Sequence, residues 1–430
     1  GGCNNAAGAA NSTVGGGCCN NSCAQGTTVA GGEDNTAVGC QSTVAGGYQN
    51  SACQAWATAS GGGGNVVNAA CATIAGGSGS CATATGITIG GGGHHRDNSS
   101  AQHGTIAGGL SGYIGQCGDF LGGGLKNCAD SCYGCNVIIG GYLNTLTSCA
   151  SASVIGGGRS NTSDSESTFI GGGGSNATKC WYGVVVGGHN NQVCDFYGFI
   201  GGGCDNTITG EYSTINGGFL NCAKACGTVV GGGTVNHTCN NFATIAGGQL
   251  NCTQAVHASI GGGCSNVASG DGSFIGGGID STASGCNAVV VGGCSNTTSG
   301  SRAAVVGGCA NSVVGSNAFI GSGMRNSACC SQTIVTGGVD NCAEAPYGSI
   351  VGGNINRIFA GHGFIGSGHN NTLSAAHAHS SILGTNITSV SANMLHTALL
   401  YLSGVPTSDP GVQGVVWNCC GTLKISECGA

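Results

Sequence analysis

Residues 259–285 read SIGGGCSNVASGDGSFIGGGIDSTASG, two near-copies of one unit offset by 15 residues. Each copy places an isoleucine (Ile260, Ile275) before a glycine tract, and a small polar residue (Asn266, Ser281) six places after the isoleucine. Extending outward from this pair, the same anchor recurs from Val14 to Ile365 at 24 positions. Twenty of the 23 steps are 15 residues, and the other three, after Ile89, Leu121 and Ile138, are 17, which implies two-residue loop insertions there. A partial unit precedes the first anchor and a degraded one follows at Ile382. Gly1 already lies in mid-period, so an upstream portion is expected.

A 15-residue unit is too short for a helical hairpin, and its glycine pairs break helices. Short β-branched runs punctuated by Gly and Asn read as strand and turn. A strict short period of β character predicts a parallel β-solenoid in which each unit is one rung. The fold expected is all-β, a left-handed β-roll of about 25 rungs over residues 1–389, followed by a C-terminal cap or trimer foot over 390–430.

Composition narrows the function classes. Glycine supplies 91 of 430 residues, whereas Lys and Arg total 9 and Asp and Glu 16, which leaves little of the charged chemistry that enzymes draw on. Three prolines and the lack of Gly-X-Y order exclude collagen. A net charge of −7 excludes a basic nucleic-acid groove. No apolar run reaches the length of a membrane-spanning helix. The glycine tracts match no phosphate-binding loop with its Lys and Ser/Thr, and no nucleophile elbow stands in an α/β context. The expectation is a structural protein, not an enzyme.

Each column of the repeat has a physical task. The anchor column is Ile, Val or Leu in 23 of 24 rungs and should fill a narrow core. The glycine pair beginning two residues later is interrupted only by Ser322 and Ser367, which points to φ > 0, to close backbone approach, or to both. Asn follows six residues after the anchor in 20 of 24 rungs, as a stacked, hydrogen-bonded ladder and turn former would require. The residue before the anchor faces the other way. It is Thr in seven rungs from Thr13 to Thr105, then largely apolar, including Phe120, Phe169, Phe199, Phe274, Phe319 and Phe364. A strand apolar on both faces is normally buried on both, so these phenylalanines are the expected interface of several associated chains.

The units STVGGGCCNNS (12–22), FIGGGCDNTITG (199–210), SIGGGCSNVASG (259–270) and FIGGGIDSTASG (274–285) resemble the left-handed parallel β-roll repeats of trimeric autotransporter adhesin heads. Similar repeats occur in fibre proteins of bacteriophages and large DNA viruses. The resemblance covers about 1–389 and implies a homotrimer with a role in surface display or attachment. The many cysteines, and the lack of an outer-membrane barrel segment after the repeats, turn the expectation toward a viral or secreted fibre, extracellular or on a virion surface. GVPTSDPGVQGVVWNCCGTLKIS (404–426) resembles a C-terminal element of viral and phage structural proteins.

Thirty cysteines suggest an oxidising compartment. Residues in one column on adjacent rungs lie about 4.8 Å apart, within disulfide range. Candidate pairs are Cys3–Cys18, Cys294–Cys309, and either Cys117–Cys132 or Cys132–Cys149, with bonds between chains open for others. His377 and His379 form a His-x-His pair, and the resemblance to trimeric phage fibres implies six such imidazoles around one metal ion on a threefold axis. No other cofactor is expected. Of ten Asn-x-Ser/Thr sequons, six lie in the Asn ladder, which leaves Asn11, Asn98, Asn370 and Asn386 as glycosylation candidates. Trp56 and Trp181 look isolated, so no aromatic platform for sugars is evident. The expected partners are the chain itself and a host-surface receptor or glycan, without nucleic acid and without membrane insertion. Two alternatives stand beside the fibre: a self-assembling extracellular filament subunit, and an ice-binding solenoid suggested by the Thr column.

Overall fold

A computed structural model describes residues 1–147, 149–398, 405–407, 416–419 and 422–425. The chain divides into two compact units, 1–299 and 300–430, and each is built from the same rung. Among the described residues all regular structure is β, and no helix is long and apolar enough to cross a membrane. The fold is a parallel β-solenoid with a repeat of about 15 residues.

One rung shows how the sequence closes on itself. Ser259–Ile260 is the anchor strand, paired in parallel with Thr244–Ile245 before it and Phe274–Ile275 after it. The glycine turn follows, and then a single-residue bridge at Cys264, whose neighbours are Gln249 and Ile279. Asn266 turns inward, and Val267–Ala268 forms a second strand, paired with Cys252–Thr253 and Thr282–Ala283. The stretch between the Asn and the next anchor thus holds a strand of its own, and each rung carries two strands and a bridge.

The core is narrow and lined by both strands. Anchors such as Ile260 and Ile275 face second-strand residues such as Ala268 and Ala283, and small residues such as Ala258 and Ala288 close the third side, all buried. An anchor isoleucine taken fully out of water contributes about 1.5–3 kcal/mol. At the corner, Asn251 Nδ2 donates to the carbonyls of Gly247 and Gly263, both at 3.0 Å, while its Oδ1 accepts the backbone N–H of Asn266 at 3.0 Å. The expected ladder is thus present, but most of its bonds run from side chain to backbone.

The Asn residues are not the left-handed turn formers. That conformation falls on the preceding residue, such as Ser265 (φ 58°), and on the residue two before each anchor strand, such as His257 (φ 56°). Non-glycine residues pay about 1–2 kcal/mol there. The turn offsets this with a backward hydrogen bond: Ser265 N–H to Gln249 C=O at 2.9 Å and His257 N–H to Asn241 C=O at 3.1 Å. Of each glycine pair only the second is obligatory. A Cβ on Gly263 (φ 89°) would lie 2.1 Å from the Gly278 oxygen, whereas one on Gly262 meets nothing within 4 Å. This explains why serine replaces only the first glycine.

Where Ser80 and His95 replace Asn, another side-chain acceptor takes its place. Ser80 N–H donates to Asn65 Oδ1 at 3.1 Å, His95 N–H to Ser80 Oγ at 3.2 Å, and Gly112 N–H to His95 Nδ1 at 3.0 Å. Burial holds the His95 imidazole below its ordinary pKa. Burial also pushes up the carboxyls of Asp97 and Asp119, which accept backbone N–H groups of Thr83, Ala84, Gln116 and Asn136.

The 17-residue steps place their extra residues at one corner. These lie between Asp97 and His103, Ala129 and Cys135, and Leu146 and Ala152. The second unit does the same between Leu373 and His379, so Ile382 pairs with Ile365 as a regular anchor. Within 390–430, Leu395–Thr397 pairs in parallel with Ser381–Leu383, and Val416–Cys419 pairs antiparallel with Thr422–Ile425. Most of the rest of 390–430, read from the sequence as a cap or trimer foot, lies outside the described residues.

Candidate functional site

The outer face of the anchor sheet carries an apolar stripe. In the first unit it runs in register through Phe120, Val137, Val154, Phe169, Val184 and Phe199, then resumes at Val229, Phe274 and Val289. In the second unit Phe319, Ile334 and Phe364 occupy the equivalent position of their own rungs. Phe169 and Phe274 are each 41% exposed, and Phe120, Phe199 and Phe364 are also exposed, whereas Phe319 is half-buried. On the far side of each anchor the stripe widens with exposed Ile139, Val186, Val291, Val306 and Val351. The geometry follows from strand alternation: the anchor turns inward, so the residues on both sides of it must turn outward. Toward the N-terminus the column continues as Thr13, Thr28, Thr43, Thr58, Thr73, Thr88 and Thr105, which pair one above another.

The cysteines are distributed differently from the sequence reading. No disulfide is formed among the cysteines whose side chains the structure describes. Cys3 and Cys18 do occupy neighbouring rungs, with Sγ atoms 2.7 Å apart, and Cys19 Sγ lies 3.5 Å from Cys18. Those neighbours push the Cys18 thiol up to about 12. Cys294 belongs to the first unit and Cys309 to the second. Cys117 and Cys132 are out of line, because the insertion after Ala129 sets Gly134 opposite Cys117 and Cys135 opposite Gly118, with the Cys135 N–H reaching the Cys117 carbonyl at 3.0 Å. Cys132 and Cys149 are both exposed at the inserted corners. Two neighbouring thiol pairs went unforeseen, Cys239 with Cys252 and Cys329 with Cys342, each setting the residue just after the second strand of one rung beside the first residue of the second strand of the next.

The histidine pair is split. Residues 375–379 turn instead of running extended, so His377 Nδ1 meets Ser389 Oγ at 2.8 Å while His379 stacks on His362 at 4.7 Å. The four glycosylation candidates Asn11, Asn98, Asn370 and Asn386 are exposed, and the six ladder sequons are buried.

An aromatic group was missed altogether. Tyr182, Tyr197 and Tyr212 occupy the left-handed corner of successive rungs and stack with centroids 4.8 Å apart, nearly parallel. Trp181 meets Phe196 edge-on at 5.7 Å beside them. Trp181 is therefore not isolated. Phe242 with His257, and Tyr347 with His362, repeat the arrangement. Because the tyrosines cover one another's faces, the stack presents edges and hydroxyls, which suits hydrogen bonding better than sugar stacking. The 15-residue spacing of the tyrosines was the available signal.

No protein-family model matches the chain, and no curated protein matches it either. The class is accordingly defined by the fold itself: a parallel β-solenoid with an exposed apolar stripe on one sheet.

Proposed function

We propose that this chain is a structural fibre protein, extracellular or on a virion surface, which projects from that surface and serves in attachment. Three copies associate as a homotrimer through the apolar stripe of the anchor sheet. The observation that carries this reading is the exposure of Phe120, Phe169, Phe199, Phe274 and Phe364 on strands whose backbone is already fully paired along the solenoid. Burying one such ring contributes about 1.5–3 kcal/mol, so a stripe repeated over many rungs favours a second and third copy over water. The resemblance to adhesin heads and phage fibres supports the trimer and the attachment role. Disulfides within or between copies fit the thiol pairs at Cys3–Cys18, Cys239–Cys252 and Cys329–Cys342.

Sedimentation of the purified chain tests the reading. A trimer is expected, and the combined change of Phe169, Phe199 and Phe274 to Ser should release monomers. A wild-type chain that stays monomeric at high concentration overturns it. Electron microscopy separates discrete particles from continuous filaments.

A further inference from the structure

We propose that His189, Cys204 and Asp205 form a binding site for a divalent cation of the zinc class. His189 and Cys204 are bridge partners on adjacent rungs, so their separation is set by the sheet. Cys204 Sγ lies 3.9 Å from His189 Nδ1 and 3.1 Å from Asp205 Oδ2, and all three ligand atoms fall within 4.8 Å of one another. A tetrahedral zinc with usual bond lengths needs ligand atoms about 3.3–3.6 Å apart, a change that small side-chain rotations supply.

The surroundings support the three ligands. Asp205 occupies the left-handed corner (φ 57°), a turn that leaves its carboxylate on the same side as the preceding Cys204. Asn190 Nδ2 donates to Asp205 Oδ1 at 2.6 Å, which orients the carboxylate with Oδ2 toward the sulfur. Such an outer partner is what fixes a metal ligand in place. The rung below pairs Gly174 with His189 and the rung above pairs Phe219 with Cys204, and the lack of a side chain at Gly174 leaves room beside the imidazole. Mixed N, S and O donors select zinc-like ions over magnesium or calcium, which prefer oxygen alone. Three protein ligands leave a fourth position for water. As the metal–sulfur bond forms, the thiol proton passes to solvent.

Cobalt titration in a non-chelating reductant tests the site, comparing the wild-type chain with the His189→Gln, Cys204→Ser double variant. The column already accepts Gln249 and Ser78, so the variant should fold. The wild type is expected to take up one more tightly bound equivalent, with a matching loss of thiolate-to-cobalt absorption in the variant. Equal stoichiometry overturns the proposal. Wild-type crystals soaked in zinc chloride give an independent readout. An anomalous peak in bonding contact with His189, Cys204 and Asp205 supports the site, and peaks confined to other thiol clusters, or no peak, reject it.

Discussion

Oδ1 of Asn251 accepts the backbone N–H of Asn266 at 3.0 Å, and Oδ1 of Asn266 does the same for Ser281. One side chain thus satisfies the next rung's amide while its own Nδ2 ties two glycine carbonyls. The corner is held by a relay in which each rung positions its successor.

Replacing Asn251 with Ala should cost about 3 kcal/mol, since it strands the buried N–H of Asn266 and the carbonyl of Gly247, while the Gly263 carbonyl keeps the Gln249 N–H. Asn251→Ser should cost roughly half as much, because Ser80 and Ser281 show that a hydroxyl keeps the acceptor. Thermal denaturation of the two variants ranks them, and equal losses would contradict the relay.

The glycine pair predicts an asymmetry. Gly262→Ser should leave the melting temperature nearly unchanged, as Ser322 and Ser367 already do at that position. Gly263→Ala should be severe, because its Cβ overlaps the Gly278 oxygen. If the two variants melt alike, the close-approach account fails.

Thr253 is buried and its hydroxyl has no partner, as is also true of Thr238. Thr253→Val keeps the shape and removes the unpaired group, so stability should rise by about 1 kcal/mol. Denaturant midpoints decide, and a fall in midpoint would reject the account.

The pH dependence can be traced to His95. Its folded-state pKa is depressed by burial, so its contribution is complete above about 6.5, is lost as pH falls through the folded value, and levels off below it. Asp97 and Asp119, raised by burial, act in the opposite sense, favouring the fold at low pH and losing that benefit as pH rises through their folded values. They are common to the wild type and His95→Asn, so they cancel in the comparison. The variant's advantage in melting temperature should widen between pH 7.5 and 5.5, and a constant gap would remove His95 as the cause.

The anchors, glycines and Asn corner were legible because each column demands one residue type. The second strand was not, since its inward column accepts Ser22, Ala52, Val67, Asp97 and Leu146 alike, and two residues are too few to show alternation. The tyrosine stack stayed hidden for a related reason: its corner is filled elsewhere by Gly227, Asn287 and Arg302. The outward Phe column was readable from the anchor alone. The disulfide columns were misaligned at Cys117 and Cys132 because counting from the preceding anchor ignores where within a rung the insertion falls.

That placement has a practical side. The glycine and Asn corners are locked to their neighbours atom by atom, yet the corner before each anchor takes two extra residues without disturbing the pairing of Ile89 with Ile106 or Ile138 with Ile155. It is the permissive seam of the solenoid. Foreign peptides grafted between Asp97 and His103 would hang outside while the rungs on either side stay in step, making the chain a ruler on which cargo can be mounted at chosen marks.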